Sequence, residues 1–552
     1  MSPAHRFSRI LSALLVAVLP VACGGGSGGG GNGAGNNPPP SIPPVFSSPT
    51  AVRVSQPTPF SNGCLPLQAG TRLYTNAEVE PHLAIDPSNP NHLVAAWQQD
   101  RLSDGGARGL VTAVSVDGGA SWTGFGVAPF SGCAGGAFAR ASDPWLSLNG
   151  NTAIQVGIAF TGNTGTAGAR SAVLASRSVD GGFTWSAAVA LADDDGSLYF
   201  NDKESVTIDS ADPRFVYAVW DRLEGNDRGP AVMVRSTDAG FSWSPPTIIY
   251  DPGPGGHQTI GNVIAVAPDG TIFDFFTELG PSPGNPGQTV GRLAVVRSTD
   301  KGVTWSAPLP IADLRSVGTT VSSLPRVAVR AGEILGSFAV DPRNGTLYAV
   351  WQDSRFSGGA HDSIVMAWSQ DGGSTWSAPV PVNSDLDVPA FTPTLSVLPD
   401  GTIGVAYYDF RQPGTSTFQP TDLWLATSRD RATWRETRLA GNFDLRIAPD
   451  ASGLFVGDYQ GLTGFGSTFI ALYVRTNNGD VTNRTDVFSD RLDTSTLAAA
   501  RAASLPSARP LRPPAWTASA QARVSRNLSD IRAMRQREWQ QWLDTIDPDG
   551  SR

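Results

Sequence analysis

One eight-residue phrase, Ser-x-Asp-x-Gly-x-x-Trp, recurs along this chain of 552 residues and constrains its fold more than any other feature. Five copies are intact, and a sixth is one residue shorter. Their aspartates are Asp117, Asp180, Asp238, Asp300, Asp371 and Asp430, which lie 58 to 71 residues apart. Self-similarity at a period of this length is the signature of a repeat architecture, so we expect one structural unit used several times.

Each copy follows a β-like run such as "SAVLASRS", which ends at Ser178, and therefore reads as a hairpin turn between two strands. Asp and Ser can hydrogen-bond the backbone of the turn, and Gly tolerates the positive φ that it requires. A second repeat precedes each phrase and reads as strand, tight turn, strand, as in "ESVTIDSADPRFVYAVWDR" from Glu204. Four strands per unit predict an all-β protein, specifically a β-propeller with four-stranded blades.

The recurring phrase is similar to the Asp box, also called the BNR repeat, of the sialidase (neuraminidase) superfamily, and the resemblance covers residues 51–493. Residues 452–476 add a seventh hairpin that no Asp box follows, so its unit lacks a fourth strand. Residues 51–59 can supply that strand and close the ring. We therefore predict seven blades, with the six blades of well-known sialidases as the alternative.

Residues 1–22 read as an export signal, because Arg6 and Arg9 precede a short apolar run that ends at Val21. Small residues then lead to Cys23, as in a bacterial lipobox, although Pro20 departs from the usual pattern. Residues 23–50 are rich in Gly, Asn and Pro, a composition typical of a tether. We expect an exported lipoprotein that is anchored to a membrane at Cys23, in the periplasm or at the cell surface, with plain secretion as the alternative.

Two further cysteines, Cys64 and Cys133, form an even pair that suggests one disulfide in an oxidising compartment, with two unrelated buried thiols as the alternative. Beyond the propeller, residues 494–516 read as a Pro-rich linker. Residues 517–546 read as a basic amphipathic helix with Val524, Leu528 and Ile531 among its apolar positions. This helix either packs on the propeller or binds a membrane surface or a partner.

Charge and motif content exclude several classes of function. The formal net charge of −9 argues against a nucleic-acid-binding protein, which normally has a basic face. Zinc-ligand spacings of His or Cys are absent, as are a P-loop and a nucleophile elbow. We therefore expect neither a metal nor a cofactor.

Propeller topology decides where a site can lie. If the inner strand of each blade starts at an upper face, the loops between the second and third strands also lie on that face. The Asp boxes then lie on the lower face, away from the axial pocket. The inner strands begin at acidic or polar segments, namely Glu80, Asp143, residues 202–204 and residues 457–459.

Arginine and carboxylate residues recur on the upper face and suit an anionic sugar, because arginine binds carboxylates bidentately and a carboxylic acid can protonate a leaving group. The resemblance implies an arginine triad for the substrate carboxylate, a tyrosine nucleophile with a glutamate base, and an aspartate acid/base. The candidate substrate-binding residues are Arg101, Arg222, Arg355 and Arg411. The candidate catalytic residues are Tyr459 as nucleophile, with Tyr408 as second choice, Glu204 as its base and Asp104 as acid/base.

The sequence departs from the family at Glu80-Pro81-His82, which stands where the family has Arg-Ile-Pro. The repeated Asp–Arg pairs can also be local salt bridges that tie down loops. Two functions therefore stay open. One is an exported glycoside hydrolase of sialidase type that acts on sialylated or other acidic glycans, and the other is a non-catalytic surface propeller that binds a glycan or a protein partner.

Overall fold

The computed structural model describes residues 45–46, 51–162, 168–225, 228–321, 327–497 and 512–540. The predicted export signal, Cys23 and most of the predicted tether lie outside these residues. So do most of the predicted linker and the last residues of the predicted C-terminal helix.

The described chain consists mainly of β-strands. The first ten are β1 (Val45–Phe46), β2 (Val52–Arg53), β3 (Glu78–Asp86), β4 (Asn89–Arg101), β5 (Ala107–Ser115), β6 (Thr123–Val127), β7 (Arg140–Asn149), β8 (Thr152–Thr161), β9 (Arg170–Ser178) and β10 (Val189–Asp195). The next eight are β11 (Tyr199–Ile208), β12 (Val216–Glu224), β13 (Ala231–Ser236), β14 (Thr247–Tyr250), β15 (Gln258–Val266), β16 (Ile272–Ser282), β17 (Asn285–Ser298) and β18 (Leu309–Leu314).

The remaining strands are β19 (Thr319–Thr320), β20 (Ala328–Arg330), β21 (Ser337–Val340), β22 (Leu347–Asp353), β23 (Ser363–Ser369), β24 (Val380–Pro381), β25 (Ala390–Val397), β26 (Ile403–Asp409), β27 (Pro420–Ser428), β28 (Arg435–Asp444), β29 (Leu454–Phe455), β30 (Gly461–Phe465), β31 (Thr468–Thr476) and β32 (Thr485–Asp493). Two α-helices follow, α1 (Thr494–Leu497) and α2 (Ala518–Gln540). None of the described helices combines the length and the apolar character that crossing a membrane requires.

Consecutive strands pair antiparallel in groups of four. Such groups are β11–β14, β15–β18, β21–β24 and β25–β28, while β3–β10 form one larger sheet that is joined across Ala107 and Ala141. In the last sheet, β30, β31 and β32 are completed by β2, with Val52 opposite Ser489. Several four-stranded antiparallel sheets in sequence order are consistent with a β-propeller.

Each Asp box forms the turn of the hairpin between the third and fourth strands of its sheet and stabilises that turn by hydrogen bonds. In one copy, Ser242 donates to Asp238 from its backbone N–H at 2.9 Å and from its hydroxyl at 2.6 Å. The hydroxyl of Ser236 donates to Asp238 at 2.8 Å and accepts the N–H of Gly240 at 2.8 Å. The hydrogen bonds from Ser242 and Ser236 lower the pKa of Asp238 to about 2. The motif is therefore a structural element of the turn.

The tryptophan of the box links neighbouring sheets. The indole N–H of Trp185 donates to the hydroxyl of Thr112 on β5 at 2.9 Å, and that of Trp122 donates to Ser489 on β32 at 2.9 Å. The second bond ties the first sheet to the last. Apolar side chains fill the space between sheets, as where Ile154 of β8 and Val206 of β11 belong to one buried cluster. The core therefore lies between the sheets.

Two further elements fasten the upper face. Cys64 and Cys133 are joined in a disulfide, with their Cα atoms 5.1 Å apart, and connect two loops that flank the first four strands. Helix α2 buries Val524, Leu528 and Ile531 in the same apolar cluster as residues of β16, β17 and β22. The C-terminal helix therefore packs on the sheets through its apolar positions.

We predict that Ser236→Ala lowers the free energy of unfolding by about 1–3 kcal/mol, because the buried N–H of Gly240 loses its acceptor. The ordinary pKa of an aspartate is about 3.9, so the contribution of Asp238 is present above about pH 4 and is lost as the pH falls towards 2. The variant should shrink this acid-dependent part. Urea unfolding at pH 7 and pH 3 measures both effects, with the exposed Ser210→Ala as a control that should change neither.

Candidate axial site

The inner strands share an irregularity near their upper ends. In β3, β7, β11, β15 and β25 the pairing register shifts in a β-bulge. One residue of each bulge has a positive φ, and these residues are Glu80 (53°), Asp143 (55°), Lys203 (48°), Gly261 (68°) and Thr392 (48°). Bulges re-aim side chains, and a positive φ at a non-glycine residue persists only where surrounding contacts hold it. Strained backbone conformations therefore recur at one level of the structure.

A cavity of about 190 Å³ lies at this level. Residues of several inner strands and of the segment before β30 line it together, which places it where those strands converge. Its polar and aromatic lining includes His82, Asp143, Trp145, Lys203, Glu204, Asn262, Phe338, Thr394, Asp458, Tyr459 and Gln460. The site therefore unites residues that are far apart in the sequence.

Lys203 is the centre of the charge network. Its ammonium nitrogen lies 3.3 Å from Oε1 of Glu80 and 2.9 Å from Oδ2 of Asp458, and it also contacts Oδ1 of Asp143. Burial opposes the charged amine, but the attraction of Asp143, Asp458 and Glu80 outweighs burial and holds the pKa of Lys203 well above its ordinary value. Lys203 thus remains a buried cation at neutral pH.

Asp458 and Glu80 respond to this cation in opposite ways. Burial works against ionisation of Asp458, yet Arg330, with Nη2 at 2.9 Å, and Lys203 hold the pKa of Asp458 well below its ordinary value. For Glu80, burial and the charge of Asp143 outweigh Lys203 and raise the pKa to about 8. Asp458 is therefore ionised at neutral pH, whereas Glu80 is mostly protonated.

The environment of Glu204 favours its protonated form. Burial, followed by the charge of Asp143, raises the pKa of Glu204 well above its ordinary value. Neither carboxyl oxygen of Glu204 has a hydrogen-bond partner among the residues that the structure describes. A buried, unpaired carboxyl group on a cavity wall is a site where a ligand group can bind.

Tyr459 lies in an aromatic part of the wall. Its hydroxyl donates to the carbonyl of Pro144 at 3.3 Å, and its ring meets Trp145 edge-on at 5.5 Å. Burial and the surrounding carboxylates, chiefly Glu80 and Asp143, raise the pKa of the phenol well above its ordinary value. His82 stacks on Trp145 at 4.1 Å, and burial lowers the pKa of His82 to about 3, so the imidazole is neutral.

The structure brings some predicted site residues together. Tyr459 and Glu204 line the same cavity. Arg101 is buried beside it, where Nη1 donates to Oε1 of Gln98 at 2.8 Å and the guanidinium lies 4.9 Å from the ring centre of Phe455. Burial raises the pKa values of both Tyr459 and Glu204, which favours Glu204 as a proton donor over Glu204 as a base in the empty cavity.

None of the four predicted arginines lines the cavity, and three of them are paired with carboxylates elsewhere. Arg355 forms a salt bridge with Asp353 at 2.7 Å, and Arg411 bridges Asp409 at 2.5 Å and Glu436 at 2.7 Å. Arg222 contacts Glu224 at 3.5 Å. Each arginine has a carboxylate two residues away along the chain and forms a salt bridge with this local partner.

Two other candidates also lie outside the cavity lining. Asp104 is bound by Arg140 at 2.7 Å and accepts the hydroxyl of Thr71 at 2.6 Å. Tyr408 is buried in the core and donates to the carbonyl of Val474 at 2.7 Å. Both side chains therefore serve local structure.

Sequence reasoning missed the cations of the site, Lys203 and Arg330, as functional residues. A signal existed for Lys203, because it is one of only two lysines in the chain and stands between two carboxyl residues. Arg330 belongs to β20 and lies 128 residues before Asp458 in the sequence, so no local pattern reveals their contact. Among the described residues no group of His, Cys, Asp and Glu has an arrangement suited to a metal ion.

Helix α2 is fixed to the strand that carries the site. Nη2 of Arg535 contacts Oδ2 of Asp221 and lies 3.6 Å from Oδ2 of Asp202. Asp202 directly precedes Lys203 and Glu204 in β11. Both Arg535 and Asp221 are buried, so this ion pair couples the helix to the bulge that presents the two site residues.

We predict that Lys203→Met lowers the free energy of unfolding at pH 7 by about 3–5 kcal/mol, because it leaves buried carboxylates without their cation. The loss should be smaller at pH 5, since without Lys203 the pKa values of these carboxyl groups rise and protonation can neutralise them. Urea unfolding at the two pH values measures this. The only other lysine provides the control, as Lys301 pairs with Asp209 alone at 2.6 Å and is partly exposed, so that Lys301→Met should cost less.

For the helix contact, we predict that Arg535→Gln increases amide hydrogen exchange in both α2 and the first half of β11 by about tenfold or more, because Asp221 loses its buried cation. Exchange followed by mass spectrometry reports each segment separately. Arg526→Gln, at an exposed position of the same helix, is the matched control. Faster exchange in α2 without faster exchange in β11 would contradict the coupling between the helix and the strand.

Comparisons with known proteins found only weak similarity to this chain. No family model matches the chain, and no curated protein matches it. Among solved structures, a protein of unknown function from Dyadobacter fermentans is 17% identical with a TM-score of 0.42, over 77% of this chain and 100% of that chain. The α-L-arabinofuranosidase Arb93A from Fusarium graminearum is 12% identical with a TM-score of 0.39, over 81% and 98%. A Hadza microbial sialidase is 13% identical with a TM-score of 0.40, over 83% and 99%. Values this low identify no family for the chain.

Proposed function

We propose that this chain is an exported glycoside hydrolase of sialidase type whose reaction takes place in the axial cavity. One observation carries the proposal. Two carboxyl groups line one cavity in environments that shift their pKa values in opposite directions: burial raises that of Glu204, whereas Arg330 and Lys203 lower that of Asp458. Environments that push the pKa values of two carboxyl groups apart are how glycosidases obtain an acid and a carboxylate from the same residue types.

In this proposal Glu204 donates its proton to the oxygen of the leaving group. Its lack of hydrogen-bond partners leaves the carboxyl free to address a ligand. Asp458, held by Lys203 and Arg330, is the fixed negative charge that stabilises the positive charge developing on the sugar ring. Tyr459 lines the same cavity and is the nucleophile that the Asp-box resemblance implies: as its oxygen bonds to the sugar and the leaving group departs, its phenol proton passes to the carboxylate that Glu204 has become, and water then displaces Tyr459 from the sugar and returns that proton.

The size and charge of the cavity define the proposed substrate as the terminal unit of an acidic glycan. The volume of about 190 Å³ is smaller than the roughly 300–1,000 Å³ of pockets for drug-sized ligands, so a single sugar ring suits it. Lys203 lines the cavity, and Arg101 and Arg330 lie close enough to influence its carboxyl groups. In this proposal these cations attract an anionic sugar.

For the architecture, we propose seven blades. They are β3–β6, β7–β10, β11–β14, β15–β18, β21–β24, β25–β28, and β30–β32 with β2. The pairing of β2 with β32 supports this count, because it lets the chain close on its own N-terminal strand. Export and lipidation at Cys23 are proposed from the sequence of residues 1–23.

A second candidate function is a non-catalytic surface propeller that binds a glycan or a protein partner. The arginines after the second strands favour it, since Arg222, Arg355 and Arg411 are each engaged by a local carboxylate. Within the described residues, these three do not converge on the cavity. A site without a convergent arginine triad suits recognition of a neutral or weakly acidic sugar.

We predict that the purified chain releases fluorophore from a fluorogenic sialoside. Glu204→Gln should lower kcat by about 10²–10⁴-fold, because the amide cannot donate a proton as the acid does. Tyr459→Phe should abolish turnover. Glu224→Gln is the matched control, since Glu224 is paired with Arg228 outside the cavity lining and should leave kcat unchanged.

Absence of release from the wild-type chain on sialosides and other terminal acidic sugars would exclude the hydrolase. Calorimetric titration with the same glycans then tests the second candidate. Binding that Lys203→Met weakens would place recognition in the axial cavity.

A further inference from the structure

Exposed apolar side chains collect on the lower face, at the tips of the Asp-box turns. They are Val116, Val179, Phe183, Phe241 and Val303, which are between 41% and 70% exposed. All five occupy variable positions of the box, so the turn does not require apolar residues there. In the two later boxes the same positions hold Gln370, Ser374, Arg429 and Ala432. We call the surface formed by the first five residues the lower apolar face.

This clustering is unusual. Among the described residues, eight of the eleven exposed large apolar side chains lie at the Asp-box ends of the strands, since Phe125, Val189 and Ile248 adjoin the five at the turns. The groove between two of these turns has a volume of about 470 Å³ and is lined by Val179, Trp185, Phe241 and Trp243 among others. Scattered exposed apolar residues are normal, whereas contiguous patches mark interaction surfaces.

The N-terminal end of the described chain lies at this same face. Val45 pairs with Thr437, near the start of β28 and directly after the sixth Asp box. Val52 pairs with Ser489, in the middle of β32, and the chain then runs upward to Ser55, whose N–H reaches the carbonyl of Val487. The strand therefore begins from the Asp-box side, and residues 1–44 precede it. These residues contain the predicted lipidation site, Cys23.

We propose that the lower apolar face rests on the membrane to which the N-terminal segment anchors the protein. The proposal adds to the expectation of a lipidated Cys23 and does not depend on the chemistry of the axial cavity. Lipidation at Cys23 holds the domain near the bilayer, where an exposed apolar face can make a second contact with it. Valine and phenylalanine side chains at turn tips insert into the boundary between headgroups and acyl chains, and the tether keeps them at high effective concentration near it.

This arrangement has a consequence for the axial site. The cavity is built from the upper ends of the inner strands, opposite the Asp boxes. With the lower apolar face on the bilayer, the site and helix α2 point away from the membrane. The accessible substrate is then a glycan that approaches from the surrounding medium or from an opposed surface, not a headgroup of the anchoring membrane.

The test uses the chain from Cys23 onward, coupled through the Cys23 thiol to a maleimide lipid in vesicles of phosphatidylethanolamine and phosphatidylglycerol. Cys64 and Cys133 are bonded to each other, so Cys23 is the only free thiol of the three cysteines. The vesicles carry brominated acyl chains, which quench nearby tryptophans, and Trp185 and Trp243 line the groove at the lower apolar face. We expect quenching of the coupled wild-type chain, reduced about twofold or more in Phe183→Ser/Phe241→Ser.

Leu198→Ser/Val481→Ser is the matched control, because these exposed apolar residues lie in loops at the opposite ends of the strands. It should quench as the wild type does. Circular dichroism and thermal unfolding establish that each variant is folded, and Val116→Ser/Val179→Ser replaces the phenylalanine pair if that pair is unfolded. Equal quenching in all variants, or none in the wild type, overturns the proposal. So does a dimer in vesicle-free solution that Phe183→Ser/Phe241→Ser dissociates, because the face then binds a second copy of this chain.

Discussion

The buried ammonium group of Lys203 is the interaction on which the axial region depends. It contacts carboxyl groups from β3, from β7 and from the segment before β30, while Lys203 itself belongs to β11. Four elements that are distant in sequence therefore meet at one charge. Because an unpaired carboxylate is costly to bury, the arrangement is stable only as a whole, and it holds the inner strands at a defined separation.

The same network sets the chemistry of the site. Arg330 adds a second cation beside Asp458 and with Lys203 lowers its pKa, whereas burial dominates at Glu80 and Glu204 and raises theirs. The repeated bulges place these side chains at one level, and the ion pair between Arg535 and Asp221 fixes helix α2 beside the strand that carries Lys203 and Glu204. The ion pairs that stabilise this region are thus also the contacts that shift the pKa values of its carboxyl groups. Glu204, by contrast, lines the cavity without a hydrogen-bond partner among the described residues.

The two faces of the molecule have separate tasks. At the lower face, the invariant positions of the Asp box make turn hydrogen bonds, and the variable positions carry the apolar tips. At the upper face, loops and helix α2 surround the ends of the inner strands. Local hydrogen bonding can be read from the sequence because its partners are within four residues. Residues that meet across the axis cannot, because their spacing in the chain carries no information about their distance in space.

The sequence by itself determined the hairpins, the four-strand period, the pairing role of residues 51–59 and the association of Tyr459 and Glu204 with the upper ends of inner strands, since periodicity and turn chemistry act locally. The tertiary structure alone decided which charges share the cavity. The arginines near the ends of the second strands pair with neighbouring aspartates or a glutamate, while Lys203 and Arg330 reach Asp458 across 255 and 128 residues. The physical reason is that a buried charge must find a partner, and only the closed arrangement of sheets determines which partner lies within reach.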